Sequence, residues 1–134
     1  MNPYYGFTNF SEVNFSLDGR LWLTSEHYFQ AQKFIFHPNI YDEVASAPTA
    51  RIAFDTARAY ESYKRRDWES VKENIMQRVL FAKFTQSTSL RRLLKSTNSA
   101  TLVEDSKVDK YWGIGDGSGK NRLGQLLMEL RDKL

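Results

Sequence analysis

The stretch Ser25-Glu26-His27-Tyr28-Phe29-Gln30-Ala31-Gln32-Lys33-Phe34 decides the reading of this chain, because apolar or aromatic residues fall on nearly every side of the helix it would form. A helix that is apolar all round is a buried one. Thr24 or Ser25 is placed to cap it, and Pro38 drives His37 out of helical geometry, so the expected helix runs from Ser25 to Phe36. At roughly 100° per residue, Glu26, Gln30 and Lys33 form one polar stripe with Phe29 beside it. Ionised groups are costly to bury unless they pair or face a wet cavity, so the stripe either closes a structural Glu–Lys contact or lines a pocket. His27 lies around the helix from Glu26 and reads as a hydrogen-bonding core residue.

Working outward, Val13 to Leu17 alternates as a strand, Asp18-Gly19 is a hairpin turn, and Arg20 to Leu23 returns beside it. Downstream, helices are predicted from Asn39 to Ala47, ended by Pro48, and from Thr49 to Tyr63 with Ile52, Ala53, Ala57 and Tyr60 on one side. The longest helix should begin at Asp67 and reach Phe84, turning Trp68, Val71, Ile75 and Val79 to the core. Ser87 or Ser89 caps a short helix carrying Leu90, Leu93 and Leu94, Thr101 to Glu104 reads as a third strand, and Leu123 to Leu134 is a final amphipathic helix. The fold class expected is α+β, mainly α, with a small antiparallel β element and one domain over residues 1–134.

Composition narrows the function classes. With 134 residues and 41% hydrophobic content, the chain is large enough to bury about two thirds of its unfolded surface. The absence of Cys removes disulfides, a thiol nucleophile and thiolate metal sites. His27 and His37 are the only histidines, and their spacing makes no metal motif; neither metal nor cofactor is expected. No basic flank with an apolar stretch follows Met1, and no run approaches the roughly 20 apolar residues that cross a bilayer, so a cytoplasmic protein is expected. A net charge of +3 favours phosphorylated ligands or nucleic acid without diagnosing a DNA-binding domain.

A second cluster lies near the C-terminus: Asp109, Tyr111-Trp112-Gly113, Gly115-Asp116-Gly117, Gly119 and Asn121, just before the final helix. Glycines allow close backbone approach to a ligand, the carboxylates and Asn121 offer polar contacts, and the next helix would present free N–H groups to an anion. The glycine pattern has neither Rossmann spacing nor a P-loop ending. Tyr111 and Trp112 serve equally as packing anchors.

Taken together, the two segments and what joins them resemble the NADAR, or YbiA-like, family of N-glycosyl hydrolases over nearly the whole chain. The resemblance is carried by Gly6-Phe7, Asn9-Phe10, Asp18-Gly19, Trp22, Glu26 through Phe34, Arg66-Asp67-Trp68, Met76 and Lys83-Phe84. It continues through Asp109 to Gly115, Gly119 to Gly124, and Leu127-Met128. Two departures stand out: Leu23 where the family often has Pro, and Gly6-Phe7-Thr8 in place of a Leu-Ser lead into Asn9-Phe10. The resemblance implies an active-site core at Glu26, Trp68 and Asp109.

Cleaving an N-glycosidic bond requires protonation of the leaving nitrogen, stabilisation of positive charge on the sugar, and a positioned water. Glu26, on an apolar helix, is expected to be a general acid with its pKa raised by desolvation, unless Lys33 draws it back down. Asp109 would stay ionised, positioning water or stabilising charge at the anomeric carbon. Lys33 admits a different course, attack on an opened ribose to form a Schiff base, or else a structural or phosphate contact. Substrate binding is expected from Asn9, Phe10, Gln30, Arg66, Trp68, Tyr111, Trp112, Gly113, Gly115, Gly119 and Asn121. Trp68 reads both as core packing and as a ring bordering the ligand. The family resemblance implies either removal of ADP-ribose from guanine in DNA or cleavage of phosphorylated ribosylamino-pyrimidine intermediates of riboflavin synthesis. A non-enzymatic ADP-ribose-binding module is the remaining reading; two carboxylates beside an anionic ligand argue against it.

Overall fold

Asp18 and Gly19 both hold positive φ, 54° and 75°, the pair of left-handed conformations that a tight two-residue hairpin requires. Strands β1 (Phe15–Leu17) and β2 (Arg20–Trp22) pair antiparallel across that turn, Phe15 opposite Trp22. The computed structural model describes residues 3–104 and 109–134. They fall into two compact units, Met1–Ser87 and Thr88–Leu134, and among the described residues this hairpin is the whole of the sheet.

In the first unit the hairpin is followed by α1 (Ser25–Ala31), α2 (Pro38–Ala45), α3 (Ala50–Ala59) and α4 (Trp68–Gln86). All seven residues of α1 are buried, and α1 packs against α2, α3 and α4. Thr24 caps it, its hydroxyl oxygen accepting from the His27 N–H at 3.2 Å. The predicted extension to Phe36 is corrected: the α-helix stops at Ala31 and tightens into a 3-10 turn over Gln32–Phe34. There the Gln32 side chain donates to Tyr41 Oη at 3.1 Å, so a tertiary bond holds the tightened turn.

Thr49 caps α3 in the same way, accepting from Ile52 N at 3.1 Å. The small residues Ala50, Ala53 and Ala57 form its buried face, allowing α1 to approach closely. Ile52, expected on that face, is 43% exposed, and α3 ends at Ala59 before a separate 3-10 turn, Glu61–Tyr63. Along α4, Trp68 and Val79 are buried as expected, while Val71 and Ile75 are half-buried; Met76, Leu80, Ala82, Lys83 and Phe84 complete the buried set. The hairpin is tied to this helix: Ser16 N donates to Gln86 Oε1 at 2.8 Å, and Gln86 Nε2 donates to Ser16 O at 2.7 Å. Arg78 and Tyr28 both donate to the Asp18 carboxylate. Trp22 is fully buried, edge-on to Tyr28 with ring centres 5.0 Å apart.

The second unit holds α5 (Thr88–Ser96) and α6 (Arg122–Lys133), burying Leu90 and Leu94 from one and Leu123, Leu126, Leu127 and Leu130 from the other. Arg131 joins α6 to the turn after α5, donating to Thr97 Oγ1 at 2.8 Å and to Ala100 O at 2.7 Å. Residues 101–104 are not a strand, against expectation. Their polar groups are met by a side chain instead: Asn121 Oδ1 accepts from Glu104 N at 2.8 Å, and Asn121 Nδ2 donates to Leu102 O at 2.9 Å. Gly124 permits this approach, since a Cβ there would stand 2.3 Å from Leu102 O.

His27 reports on the integrity of the first unit. Its Nε2 meets Ala47 O at 2.9 Å and its Nδ1 meets Thr24 Oγ1 at 2.7 Å. A carbonyl only accepts, so Nε2 carries a proton, and the Thr24 hydroxyl can donate to the unprotonated Nδ1 of the neutral ring. Burial pushes its pKa below the usual 6.5, outweighing the Ala47 bond. Below that value the unfolded chain takes up the proton first, so this contribution is full above pH ~6.5 and is lost as pH falls. The melting temperature is expected to decline between pH of about 7 and about 5, and His27→Gln to remove that part of the slope. Identical slopes in thermal melts of the two proteins would contradict this.

Candidate functional site

The polar stripe expected on the first helix is present, and its members are tied down individually. Glu26 is 6% exposed, and its Oε2 accepts from Gln30 Nε2 at 2.8 Å. Because a carboxylate of this kind accepts, the amide nitrogen of Gln30 is committed to Glu26 and its carbonyl faces the other way. Gln30 Oε1 is buried and has no hydrogen-bond partner among the described residues. An orphaned buried acceptor costs about 1–3 kcal/mol. A bound hydroxyl or N–H would remove that cost.

Lys33, one turn beyond, projects from the 3-10 turn rather than from an unbroken helix. Its Nζ lies 5.5 Å from the centre of the Trp68 ring, and Trp68 in turn meets Phe29 edge-on at 5.0 Å. Trp68 is buried, so both readings of it apply: it packs in the core and forms the wall beside the Lys33 amine. Burial pushes the Lys33 ammonium below its usual 10.5; Lys64 adds to the shift, while Glu61, Glu26 and Glu69 oppose it. The polar stripe, Phe29 and Trp68 thus belong to one neighbourhood of the first unit.

Asn9 holds this neighbourhood from behind. Asn9 O accepts from Glu26 N at 3.0 Å, Asn9 Oδ1 accepts from Ser25 Oγ at 2.9 Å, and its Nδ2 approaches Met76 Sδ at 3.7 Å. Its side chain is spent on fixing the start of α1. Phe10 is exposed. Arg66 is also exposed, just ahead of Trp68.

One residue of the site's support carries no role in the sequence reading. Lys83 is fully buried, and its Nζ donates to Thr8 O at 2.7 Å, to Ser11 Oγ at 3.2 Å and to Ser25 Oγ at 3.5 Å. It thereby clamps the N-terminal segment to α4 and the cap of α1. The signal was available: a lysine four residues after Val79 and two turns from Met76 sits on the core face of its helix.

In the second unit the loop residues are gathered by backbone bonds. Asp109 Oδ1 accepts from Tyr111 N at 2.9 Å and from Trp112 N at 2.8 Å. Tyr111 and Trp112 meet edge-on at 4.8 Å, with Lys120 Nζ 5.5 Å from the Tyr111 ring centre. Gly113 and Gly115 are buried, and a Cβ on Gly119 would stand 2.5 Å from Gly113 O. The expectation that α6 offers free N–H groups to an anion is corrected for Arg122 and Leu123. Arg122 N donates to Tyr111 O at 2.9 Å and Leu123 N to Trp112 O at 3.0 Å. Asn121, at φ 52°, spends its amide on residues 102–104.

The NADAR domain model matches residues 1–134. N-glycosidase YbiA of Escherichia coli K12 is 47% identical over 134 residues, 99% of this chain and 83% of that protein. Riboflavin biosynthesis protein VVA0006 of Vibrio vulnificus is 38% identical over 132 residues, 97% of this chain and 36% of that protein. The NMR structure of the E. coli protein YbiA superposes with a TM-score of 0.90 at 46% identity, covering 98% of this chain and 79% of that one. The chain belongs to the NADAR family, and these relatives support an N-glycosidase.

The clamp can be tested directly. Lys83→Met keeps length and apolar stem but removes the donations to Thr8 O, Ser11 Oγ and Ser25 Oγ, and is expected to cost about 1–3 kcal/mol in denaturant unfolding. A midpoint equal to that of the wild type would show that the amine holds nothing of consequence.

Proposed function

Proceeding from membership of the NADAR family, we propose that this protein is an N-glycosidase that removes ADP-ribose from guanine in DNA, with Glu26 as the proton-transfer group. The observation that carries this is the buried Glu26–Gln30 pair, whose Gln30 carbonyl has no hydrogen-bond partner among the described residues, together with the depressed amine of Lys33 three residues on. A carboxyl group held in a dry site by a side-chain donor suits general acid–base work. In the direct course, water adds to the anomeric carbon, the C–N bond to the base breaks, Glu26 supplies the proton taken by the leaving nitrogen, and the proton lost by the water restores the Glu26 acid. Gln30 Oε1 would accept from a sugar hydroxyl, and Trp68 would border the sugar or base.

A second course is favoured by the burial of Lys33. Its depressed pKa raises the fraction of neutral amine, the form that attacks carbonyl-level carbon. In that course the bond from Lys33 nitrogen to the anomeric carbon forms as the bond to the base nitrogen breaks, the proton lost by the amine replacing the one Glu26 gives to the leaving base; the bond from the anomeric carbon to the ring oxygen then breaks, the ring oxygen taking a proton, and the opened sugar is held as an imine. Water then hydrolyses the imine and frees the sugar. On the substrate side, the name of the Vibrio relative supports a phosphorylated riboflavin intermediate as the alternative. Both classes join a phosphorylated ribose to an amine of a heterocycle. The Lys64-Arg65-Arg66 run, in which Arg66 is exposed, and the +3 charge favour the DNA-linked one.

One experiment addresses substrate and course together. The protein is incubated with ADP-ribosylated guanine DNA and, separately, with the ribosylamino-pyrimidine phosphate, and the freed sugar is weighed by mass spectrometry. Release of ADP-ribose from the DNA is expected; release from the pyrimidine alone would overturn the DNA assignment. Borohydride added during turnover leaves a stable adduct on the peptide containing Lys33 if the imine forms. Turnover without that adduct would assign the reaction to direct water attack.

A further inference from the structure

Beyond the catalytic stripe, the residues after the 3-10 turn of α1 meet those before α4 in an open groove of about 590 Å³, lined among others by Phe36, Tyr63, Lys64, Arg65 and Arg66. That volume lies in the range of clefts that hold small ligands, roughly 300–1,000 Å³. Its composition is unusual for a surface: Phe36 is 71% exposed and Tyr63 is 51% exposed. The two rings are held in place rather than loose. Asp67 accepts two hydrogen bonds from Arg65, from Nε at 2.6 Å and from Nη2 at 2.9 Å, and this fixes the guanidinium 5.5 Å from the Phe36 ring centre. His37 meets Tyr63 edge-on at 5.4 Å.

The charges of the groove are arranged for an anion. Arg65 is engaged by Asp67 and Lys64 donates to Glu61 at 2.8 Å, but Arg66 is exposed and has no hydrogen bond or ion pair among the described residues. Cations outnumber carboxylates on this wall. The groove is also fastened to the catalytic stripe, because Arg65 N donates to Lys33 O at 2.8 Å and Trp68 follows Asp67 directly. Exposed aromatic faces beside cations are the means by which proteins hold single-stranded nucleic acid, bases on the rings and phosphates on the cations.

We propose that this groove is a single-stranded DNA subsite that holds a nucleotide flanking the one being cleaved, its base on Phe36 or Tyr63 and its phosphate on Arg66. The proposal rests on DNA being the carrier of the modified base. It would let the enzyme grip the strand while the stripe acts on the sugar. A base drawn from the stack leaves its neighbours unstacked, and rings at this position replace the lost stacking.

The test is binding of a fluorescein-labelled short oligothymidylate, unmodified, to the full chain by fluorescence anisotropy across a salt series. The wild type is expected to bind. Phe36→Ala and Tyr63→Ala are each expected to weaken binding at least about fivefold, the lower end of base–aromatic stacking, with Phe36→Tyr restoring it. Arg66→Gln should lower the slope of log affinity against log salt by about 0.7, one phosphate contact on a single strand. No binding by the wild type, or wild-type affinity in both alanine variants, would overturn the subsite. The outcome is separable from that of the function itself. Strand binding without release of ADP-ribose from modified DNA counts against the proposed substrate, whereas release without strand binding counts against the groove alone.

Discussion

A helix enclosed on every side has no water to satisfy its polar groups, so each polar residue of α1 must find a partner within the protein. The organisation of the first unit follows from that constraint. His27 bonds outward on both ring nitrogens, to Thr24 and to the carbonyl of Ala47, which brings the α2–α3 connection against the helix. Ser25 is answered by Asn9 and Lys83, and the first N–H of the Glu26 peptide by Asn9 O. The N-terminal segment is thus drawn over the helix cap and clamped from α4. Gln30 is the exception, with its amide nitrogen committed to Glu26 and its carbonyl unanswered. That one orphaned acceptor beside a carboxylate is the ground on which the catalytic site is proposed here.

The same enclosure shapes the chemistry proposed for the stripe. Electrostatic interactions strengthen where water is excluded, and a donor or acceptor fixed beforehand does not have to be reorganised during the reaction. Phe29 and Trp68 supply the apolar wall, and burial beside that wall holds the Lys33 amine below its usual pKa against the pull of three glutamates. A solvated Glu–Lys pair on a helix surface would have neither property.

Much of this was legible in the sequence where local chemistry alone decides the outcome. Asp18-Gly19 names a hairpin because both positions need positive φ, and Thr24 and Thr49 name helix starts because their hydroxyls answer orphan N–H groups. The all-round apolarity of the first helix fixed its burial. What escaped depends on partners distant in sequence. The helix stops at Ala31 where Tyr41 holds Gln32. Residues 101–104 alternate like a strand, yet Asn121 rather than a neighbouring strand meets their backbone. The start of α6 looked open to an anion until the carbonyls of Tyr111 and Trp112 were found on its N–H groups. Glu26 and Gln30 were legible as neighbours because one helix sets their spacing, whereas the 3-10 turn that carries Lys33, and the roles of Asn9 and Lys83 as props, could be seen only once the elements were packed.

The central claim is that Glu26 moves the proton that frees the base, and one substitution addresses it with little change of shape. Glu26→Gln keeps the volume and a hydrogen-bonding group opposite Gln30 while removing the acid. Single-turnover release of sugar should fall by about 10²–10⁴-fold, with thermal stability and substrate binding near those of the wild type. Unchanged single-turnover release by a folded Glu26→Gln protein would contradict the account.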